Sequence, residues 1–257
     1  MDYKNDLLNV TPVWDKTAKA YHQFITEANS YVQSIELPII TQLLDSISFS
    51  NVLDLGCGTG HYTLKLATKS RVTAIDLSAE MLAVAREAAV RDGLSPTFLQ
   101  HDITKPLPFQ NAEFDLIVST TALHYVEDLA AFFQECSRLL KPSGNLILSL
   151  LHPISTGLFP TVDQDYRDSR CWDLKYFSSK RRRYFPPWSS VDPDSSEDAL
   201  QCYHHTLQDY LQPLLAHFKL LVISEPRPDR DFAERNPERY FYSNSQPLFL
   251  IIHAKRD

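Results

Sequence analysis

The chain has 257 residues, of which 44% are hydrophobic and 22% are charged. These shares are ordinary for a globular protein and exclude a chain that is disordered for lack of apolar side chains. The formal net charge of −7 argues against a protein that coats nucleic acid without sequence preference, because phosphate binding needs a basic face. We expect one folded domain with additions.

Cysteine usage and apolar runs bear on compartment and metal binding. The first six residues carry charges instead of an apolar signal core, and the apolar runs at 146–151 and 248–252 are too short to span a bilayer. We therefore expect a soluble, cytoplasmic protein without a membrane partner, while its oligomeric state stays open. No His, Cys or acidic cluster has ligand spacing, so no metal is expected. The cysteines are scattered and form no Cys-x-x-Cys pair, which favours a reducing compartment: Cys57, Cys136, Cys171 and Cys202.

The first predicted elements are two amphipathic helices at residues 14–29 and 35–47, with Pro38 near the start of the second. We expect them to close over the carboxyl edge of a sheet. From residue 51 to residue 151, short apolar runs alternate with helical patterns, which is typical of a parallel sheet with helices on both faces. Strands are predicted at residues 51–55, 71–76, 97–101, 114–119 and 145–151.

Two helices between these strands carry clear boundary signals. Residues 79–91 follow Ser78 as N-cap and precede Gly93, and residues 129–140 are stopped by the Lys-Pro-Ser-Gly sequence at 141–144. After the fifth strand the composition changes, because residues 155–200 contain many aromatic side chains, a basic run at 180–183 and four prolines. This segment is predicted to be an inserted lid. The remaining elements are a helix at 205–217 and strands at 219–224 and 248–253. The lid prolines are Pro160, Pro186, Pro187 and Pro193.

A glycine-rich turn stands directly after the first strand, in the sequence Asp-Leu-Gly-Cys-Gly-Thr-Gly at 54–60. Gly56, Gly58 and Gly60 let a ligand approach the backbone closely. Position 61 is histidine where a dinucleotide fingerprint has glycine, which favours S-adenosylmethionine over NAD. Asp54 is predicted to lie near the ammonium group of that zwitterionic donor, directly or through water.

Over residues 51–151, which include this turn, the sequence resembles the class I S-adenosylmethionine-dependent methyltransferases. Within that class it is similar to the small-molecule branch called methyltransferase type 11. The resemblance implies a doubly wound, Rossmann-like α/β fold with a seven-stranded, mostly parallel sheet in the order 3-2-1-4-5-7-6. It also implies that Asp76 binds the ribose hydroxyls, that Asp102 contacts the adenine amino group, and that Leu77 and Ile103 sandwich the ring. Tyr21, Cys57 and Ser119 complete the predicted donor residues.

The segment after the fourth strand, residues 119–125, lies beside the reacting methyl in the family. It contains no Asn-Pro-Pro-Tyr motif and no Pro-Cys nucleophile, which disfavours nucleic-acid methylation and favours a small-molecule acceptor. If the acceptor is a hydroxyl, a base can assist. His124 and His152 are the preferred candidates because both follow strand ends, and His204 and His205 are further ones.

Two questions stay open at this point. The basic run Lys180–Arg183, flanked by Tyr184, Phe185 and Trp188, is either a site for an anionic acceptor or a nucleic-acid strand, or a solvated loop paired with acids. The chain is either an enzyme, whose transfer to oxygen, nitrogen or carbon is undetermined, or a non-catalytic donor-binding partner or sensor. An NAD-dependent oxidoreductase is the third reading.

We divide the single domain into a helical cover, a donor-binding core, a lid and a C-terminal part: residues 1–48, 49–153, 154–203 and 204–257.

Overall fold

The computed structural model describes residues 10–164, 173–184 and 199–257. No helix within these ranges is long and apolar enough to cross a membrane. Some of the positions discussed above lie outside the described residues: Cys171, Phe185, Pro186, Pro187, Trp188 and Pro193.

The centre of the molecule is a seven-stranded sheet. Its strands are β1 (Asn51–Leu55), β2 (Arg71–Asp76), β3 (Thr97–Gln100), β4 (Phe114–Thr120), β5 (Leu140–Leu151), β8 (Phe218–Ser224) and β9 (Phe249–Arg256). Two further strands, β6 (Arg182–Tyr184) and β7 (Leu200–Cys202), form a separate antiparallel pair. The sheet order is β3-β2-β1-β4-β5-β9-β8, and only β9 runs antiparallel to its neighbours. The predicted fold class and strand order are confirmed.

Helices cover both faces of this sheet. They are α1 (Val10–Thr26), α2 (Leu37–Asp45), α3 (His61–Ala67), α4 (Ala79–Arg91), α5 (Leu129–Leu139), α6 (Pro153–Leu158), α7 (Leu207–Leu215), α8 (Arg230–Arg235) and α9 (Pro237–Ser245). A π-helix, Val32–Glu36, leads into α2. Ser78 caps α4 by accepting a hydrogen bond from the Met81 N–H, as its sequence predicts.

Two hydrophobic cores lie on opposite faces of the sheet because successive strand residues point in opposite directions. Leu53, Ile117 and Leu148 belong to the core under α5 and α7. Val52 and Val118 belong to the core under α2 and α3. Since both faces are buried, the parallel strands are continuous apolar runs, which explains why they were predictable from sequence.

Some boundaries differ from the predicted ones. The fifth strand begins at Leu140 instead of 145, because the Lys-Pro-Ser-Gly segment stays in the strand and is accommodated by a register shift against β4. Helices α8 and α9 were not predicted, since their sequence has little apolar periodicity. Most of the second predicted N-terminal helix packs on the sheet face through Ile40 and Leu44. Only its first residues, at the end of the π-helix, reach the carboxyl edge that α1 covers.

Candidate active site

A cavity of about 480 Å³ lies at the carboxyl ends of β1 and β4. Between these two strands the sheet order reverses, which is where open α/β sheets bind ligands. Helix α1 and the π-helix roof the cavity, and α6, the β6–β7 pair and α9 complete its outer side. The floor is formed by residues that end or follow four strands: Gly56 and Gly58, Asp76 and Leu77, Asp102, and residues 120–122.

The glycine turn brings β1 close to the segment after β4. Gly56 has φ +73°, and a Cβ at this position would lie 2.5 Å from the Ala122 Cβ, so no side chain fits. Gly60 adopts the left-handed conformation at the N-cap of α3. The three glycines therefore have a demonstrable backbone role, and Gly56 and Gly58 line the cavity as expected for a ligand seat.

Asp76 ends β2 and holds the glycine turn in place. Its Oδ2 accepts a hydrogen bond from the Gly58 N–H at 2.7 Å, and its Oδ1 accepts one from the Ser78 N–H at 2.9 Å. Burial raises the pKa of this carboxyl, and the backbone N–H groups oppose the rise. Each carboxylate oxygen can still accept a further hydrogen bond, and Asp76 lines the cavity.

Leu77, Asp102 and Ile103 lie together at the β2–β3 end of the cavity. The Leu77 carbonyl accepts a hydrogen bond from Gln100 Nε2, which ties the two strand ends together. Asp102 Oδ1 accepts hydrogen bonds from the backbone and the hydroxyl of Thr104, so its loop is fixed locally. This end thus offers two apolar side chains and a carboxylate, as expected for a ring with an amino group.

Besides Gly60, three predicted donor residues do not line this cavity. Asp54 is 1% exposed and its Oδ2 accepts a hydrogen bond from Thr63 at 2.5 Å. Ser119 donates to the Leu55 carbonyl and fastens β4 to β1. Cys57 is buried behind the turn, where it contacts Leu82 in a small apolar cluster.

His152 has a structural position that the sequence reasoning did not foresee. Its Nδ1 accepts a hydrogen bond from the Ile154 N–H at the start of α6, and its Nε2 lies 2.9 Å from Glu225 Oε1. Both ring nitrogens are therefore engaged, and the side chain does not line the cavity. In this structure His152 acts as the cap of α6.

Five aromatic side chains form a continuous series along the cavity, which we call the aromatic wall. Trp14 of α1 contacts the Tyr21 ring edge-on at 5.2 Å between centroids and the Tyr125 ring at 6.1 Å. The Tyr125 hydroxyl is hydrogen-bonded to that of Tyr184 in β6, and the Tyr184 ring stacks on Phe159. The wall therefore joins the cover, the segment after β4 and the lid.

His124 lies next to Tyr125 of this wall, in the 3₁₀ turn Leu123–Tyr125, and it also lines the cavity. The residue is 3% exposed, and its ring packs 4.1 Å from the Tyr125 ring, centroid to centroid. Neither ring nitrogen has a hydrogen-bond partner among the described residues. Burial lowers the pKa of His124 to about 3, so the imidazole is neutral at pH 7.

The basic run Lys180–Arg183 is largely used inside the lid. Arg182 is fully buried and donates to the carbonyls of Thr156 and Lys175, as well as to two others in its own loop. Lys180 is paired with Asp163. The expectation of a solvated loop is thus wrong for Arg182, and none of these cations lines the cavity.

Sequence comparison identifies the family. The family profile described as a methyltransferase domain matches residues 53–148. A crystal structure of an S-adenosylmethionine-dependent methyltransferase from Mesorhizobium loti is 27% identical and superposes with a TM-score of 0.68, covering 86% of this chain and 97% of that one. The profile match and this structural neighbour support a class I S-adenosylmethionine-dependent methyltransferase. Its donor is therefore S-adenosylmethionine, and its product from the donor is S-adenosylhomocysteine.

Two relatives show how closely this methyltransferase resembles known proteins. An uncharacterized protein of Haemophilus influenzae is 29% identical over 259 residues, which is 96% of this chain and 98% of that protein. A ubiquinone biosynthesis O-methyltransferase of Xylella fastidiosa is 39% identical over 123 residues, which is 47% of this chain and 50% of that enzyme. The chain thus spans about half the length of this named relative, and the match does not establish an acceptor.

Proposed function

We propose that this methyltransferase transfers a methyl group to a hydroxyl oxygen of an uncharged, largely apolar small molecule. The observation that carries the proposal is His124, a buried, neutral imidazole with two unpartnered ring nitrogens among the described residues. A buried polar group without a partner is costly and needs an explanation. A bound acceptor that supplies a hydrogen bond to this ring is the explanation we favour.

In our proposal, the predicted donor residues follow one another along the sheet edge in the same order as the adenine, ribose and amino-acid parts of S-adenosylmethionine. Asp102 follows β3, Asp76 ends β2, and the glycine turn follows β1. In our proposal Asp102 contacts the adenine amino group between Leu77 and Ile103, and the free lone pairs of Asp76 accept the two ribose hydroxyls. The amino-acid end then lies beside the glycine turn and Tyr21.

His124 would accept the hydroxyl proton of the acceptor. A neutral imidazole has one nitrogen with a free lone pair, which can hold the hydroxyl and direct its oxygen. S-adenosylmethionine, when bound, supplies an electrophilic methyl group on a positively charged sulfur. As the acceptor oxygen forms its new bond to carbon, its proton becomes strongly acidic, so a weak base is sufficient to remove it.

The cavity selects against charged acceptors. Apart from Asp76 and Asp102 at the donor end, its described lining contains no Asp, Glu, Lys or Arg. The aromatic wall and Phe249 instead provide apolar surface for a ring or a hydrocarbon. A carboxylate placed here would be desolvated without a cation, which costs several kcal/mol.

The name of the Xylella relative supports oxygen as the receiving atom. That enzyme is a ubiquinone biosynthesis O-methyltransferase, and its match to this chain is 39% identical. The support concerns the type of reaction only, because the chain spans half of that enzyme and the acceptor-facing lid lies largely outside the family profile.

A screen of matched acceptors tests this proposal. We expect release of S-adenosylhomocysteine from neutral phenols and alcohols at rates at least about 10-fold above those of the corresponding carboxylic acids, because of the desolvation cost. The release is measured by mass spectrometry with the full chain and saturating donor. Each acid is compared with its own methyl ester and hydroxymethyl analogue, so that size stays constant.

Faster release with carboxylates than with their neutral analogues would contradict the proposed acceptor class. Methylation confined to amines would contradict the receiving atom. Tight donor binding with no release from any acceptor class would favour a non-catalytic, donor-binding protein.

A further inference from the structure

A small chamber of about 30 Å³ adjoins the main cavity beside the glycine turn. Tyr21, Gly56, Gly58 and Thr121 contribute to the walls of both spaces. The volume accommodates one small polar group, since a single water needs about 10–15 Å³ on this measure. The chamber borders the residues that follow β1 and end or follow β4, and Asp102 is not among its described lining residues.

Glu36 is the acidic residue of this chamber. It ends the π-helix Val32–Glu36, a conformation that is rare and frequently found at functional sites. The residue is 1% exposed, and its Oε1 has no hydrogen-bond partner among the described residues. Burial raises its pKa to about 7, although the hydroxyls of Ser149 and Tyr62 oppose the rise. A carboxyl group in this position lacks its counter-charge.

The surroundings provide no cation for Glu36. His61 lines the chamber, but burial lowers its pKa to about 4, so the ring is uncharged at pH 7. No Lys or Arg is among the described residues of its lining. Asp76 and Asp54 lie close enough to the neighbouring Cys57 to raise its pKa further, after burial. The local field is negative and favours a small positive group.

We infer that Glu36 binds the α-ammonium group of the methyl donor. The inference rests on the proposed placement of adenine at Asp102 and ribose at Asp76. In that placement the amino-acid end of the donor lies beside the glycine turn, and its ammonium group is next to the chamber. A primary ammonium is small, positively charged and rich in hydrogen-bond donors, so it matches a buried carboxyl group of which one oxygen has no hydrogen-bond partner among the described residues.

Glu36 thereby replaces Asp54 as the acid at this end of the donor. Asp54 is the acid that the sequence predicts for that role. Its Oδ2 accepts a hydrogen bond from Thr63, and its Oδ1, like the Glu36 Oε1, has no partner among the described residues. Asp54 lines neither space, however, whereas Glu36 lines the chamber. Glu36 belongs to the N-terminal cover and shares the chamber with Gly56 and Gly58 of the turn. The cover therefore takes part in donor binding as well as in closing the cavity.

A comparison of two ligands tests the role of Glu36. Calorimetric titration of the full chain should show that Glu36→Gln weakens S-adenosylhomocysteine binding roughly 10- to 100-fold, the value of a charged hydrogen bond. Binding of 5′-methylthioadenosine, which has the same nucleoside but no amino-acid part, should change less than about twofold. Glu27→Gln, an exposed site after α1, is the matched control.

Equal losses for both ligands, or no loss for either, would overturn the inference. If the Gln variant does not fold, the wild-type protein remains informative, because an S-adenosylhomocysteine analogue without the amino group must then bind roughly 10-fold more weakly or worse. Failure of the wild-type protein to bind S-adenosylhomocysteine would instead overturn the donor placement on which the inference depends.

Discussion

Replacing Asp76 with alanine should weaken binding of S-adenosylhomocysteine roughly 100-fold or more, because two charged hydrogen bonds of about 1.5–3 kcal/mol each are lost. The variant also loses the acceptors of the Gly58 and Ser78 N–H groups, so the glycine turn becomes less fixed. The affinity is measured by calorimetric titration of the full chain.

Asp92→Ala is the matched control for this variant. Asp92 lies at the other end of α4, is exposed and pairs with Arg91, so its removal should leave donor affinity within about twofold. Circular dichroism establishes that both variants are folded before titration. Unchanged affinity in a folded Asp76→Ala variant would contradict the ribose assignment.

Replacing His124 with phenylalanine should lower kcat roughly 10²- to 10⁴-fold, the usual contribution of a positioned base, while donor affinity stays within about twofold. Phenylalanine keeps the ring contacts with Tyr125 and Tyr184 but has no nitrogen. His217→Phe, after the end of α7, is the control and should retain wild-type kcat. Single-turnover and steady-state rates with a phenolic acceptor measure the effect.

The pH dependence of kcat provides a second test of His124. Because burial lowers its pKa to about 3, the imidazole loses its basic form only when the pH falls towards that value. With saturating donor and a neutral acceptor, the His124 contribution should therefore be constant between about pH 5 and 8, where an ordinary histidine titrates. A loss of kcat with an apparent pKa near 6.5 that disappears in His124→Phe would contradict the proposed environment.

The sequence was sufficient to predict the strands and helices around the glycine turn. The bounds of β1, β2 and α4 agree with their predictions because each combines a continuous apolar run or a clear cap with a turn residue. Asp76 and Asp102 could be placed because they end or follow strands, and all parallel strands deliver such residues to the same edge.

Side-chain direction was harder to predict than position along the chain. His124 and His152 both follow strand ends. His124 lines the cavity and has no hydrogen-bond partner in the part of the chain that the structure describes, whereas His152 caps α6 and lies against Glu225. Ser119 and Thr120 are adjacent, but only Thr120 lines the cavity. Such alternation depends on twist and local turns, which a motif does not specify.

No sequence pattern predicted that Glu36 is buried or that Arg182 binds backbone carbonyls inside the lid. A glutamate in an amphipathic helical segment is normally solvated, and only tertiary packing against β5 and α3 buries this one. A basic run is normally a solvated or ligand-binding face, whereas Arg182 closes the lid by donating to backbone carbonyls. Both depend on contacts between segments distant in sequence.

Calorimetric titration of the wild-type chain with S-adenosylmethionine, S-adenosylhomocysteine and NADH tests the central claim most directly, namely that the cavity between β1 and β4 holds a methyl donor. We expect the first two ligands to bind in the micromolar range and NADH not to bind. Binding of NADH without binding of either sulfur ligand would contradict the donor assignment and indicate a dinucleotide site instead.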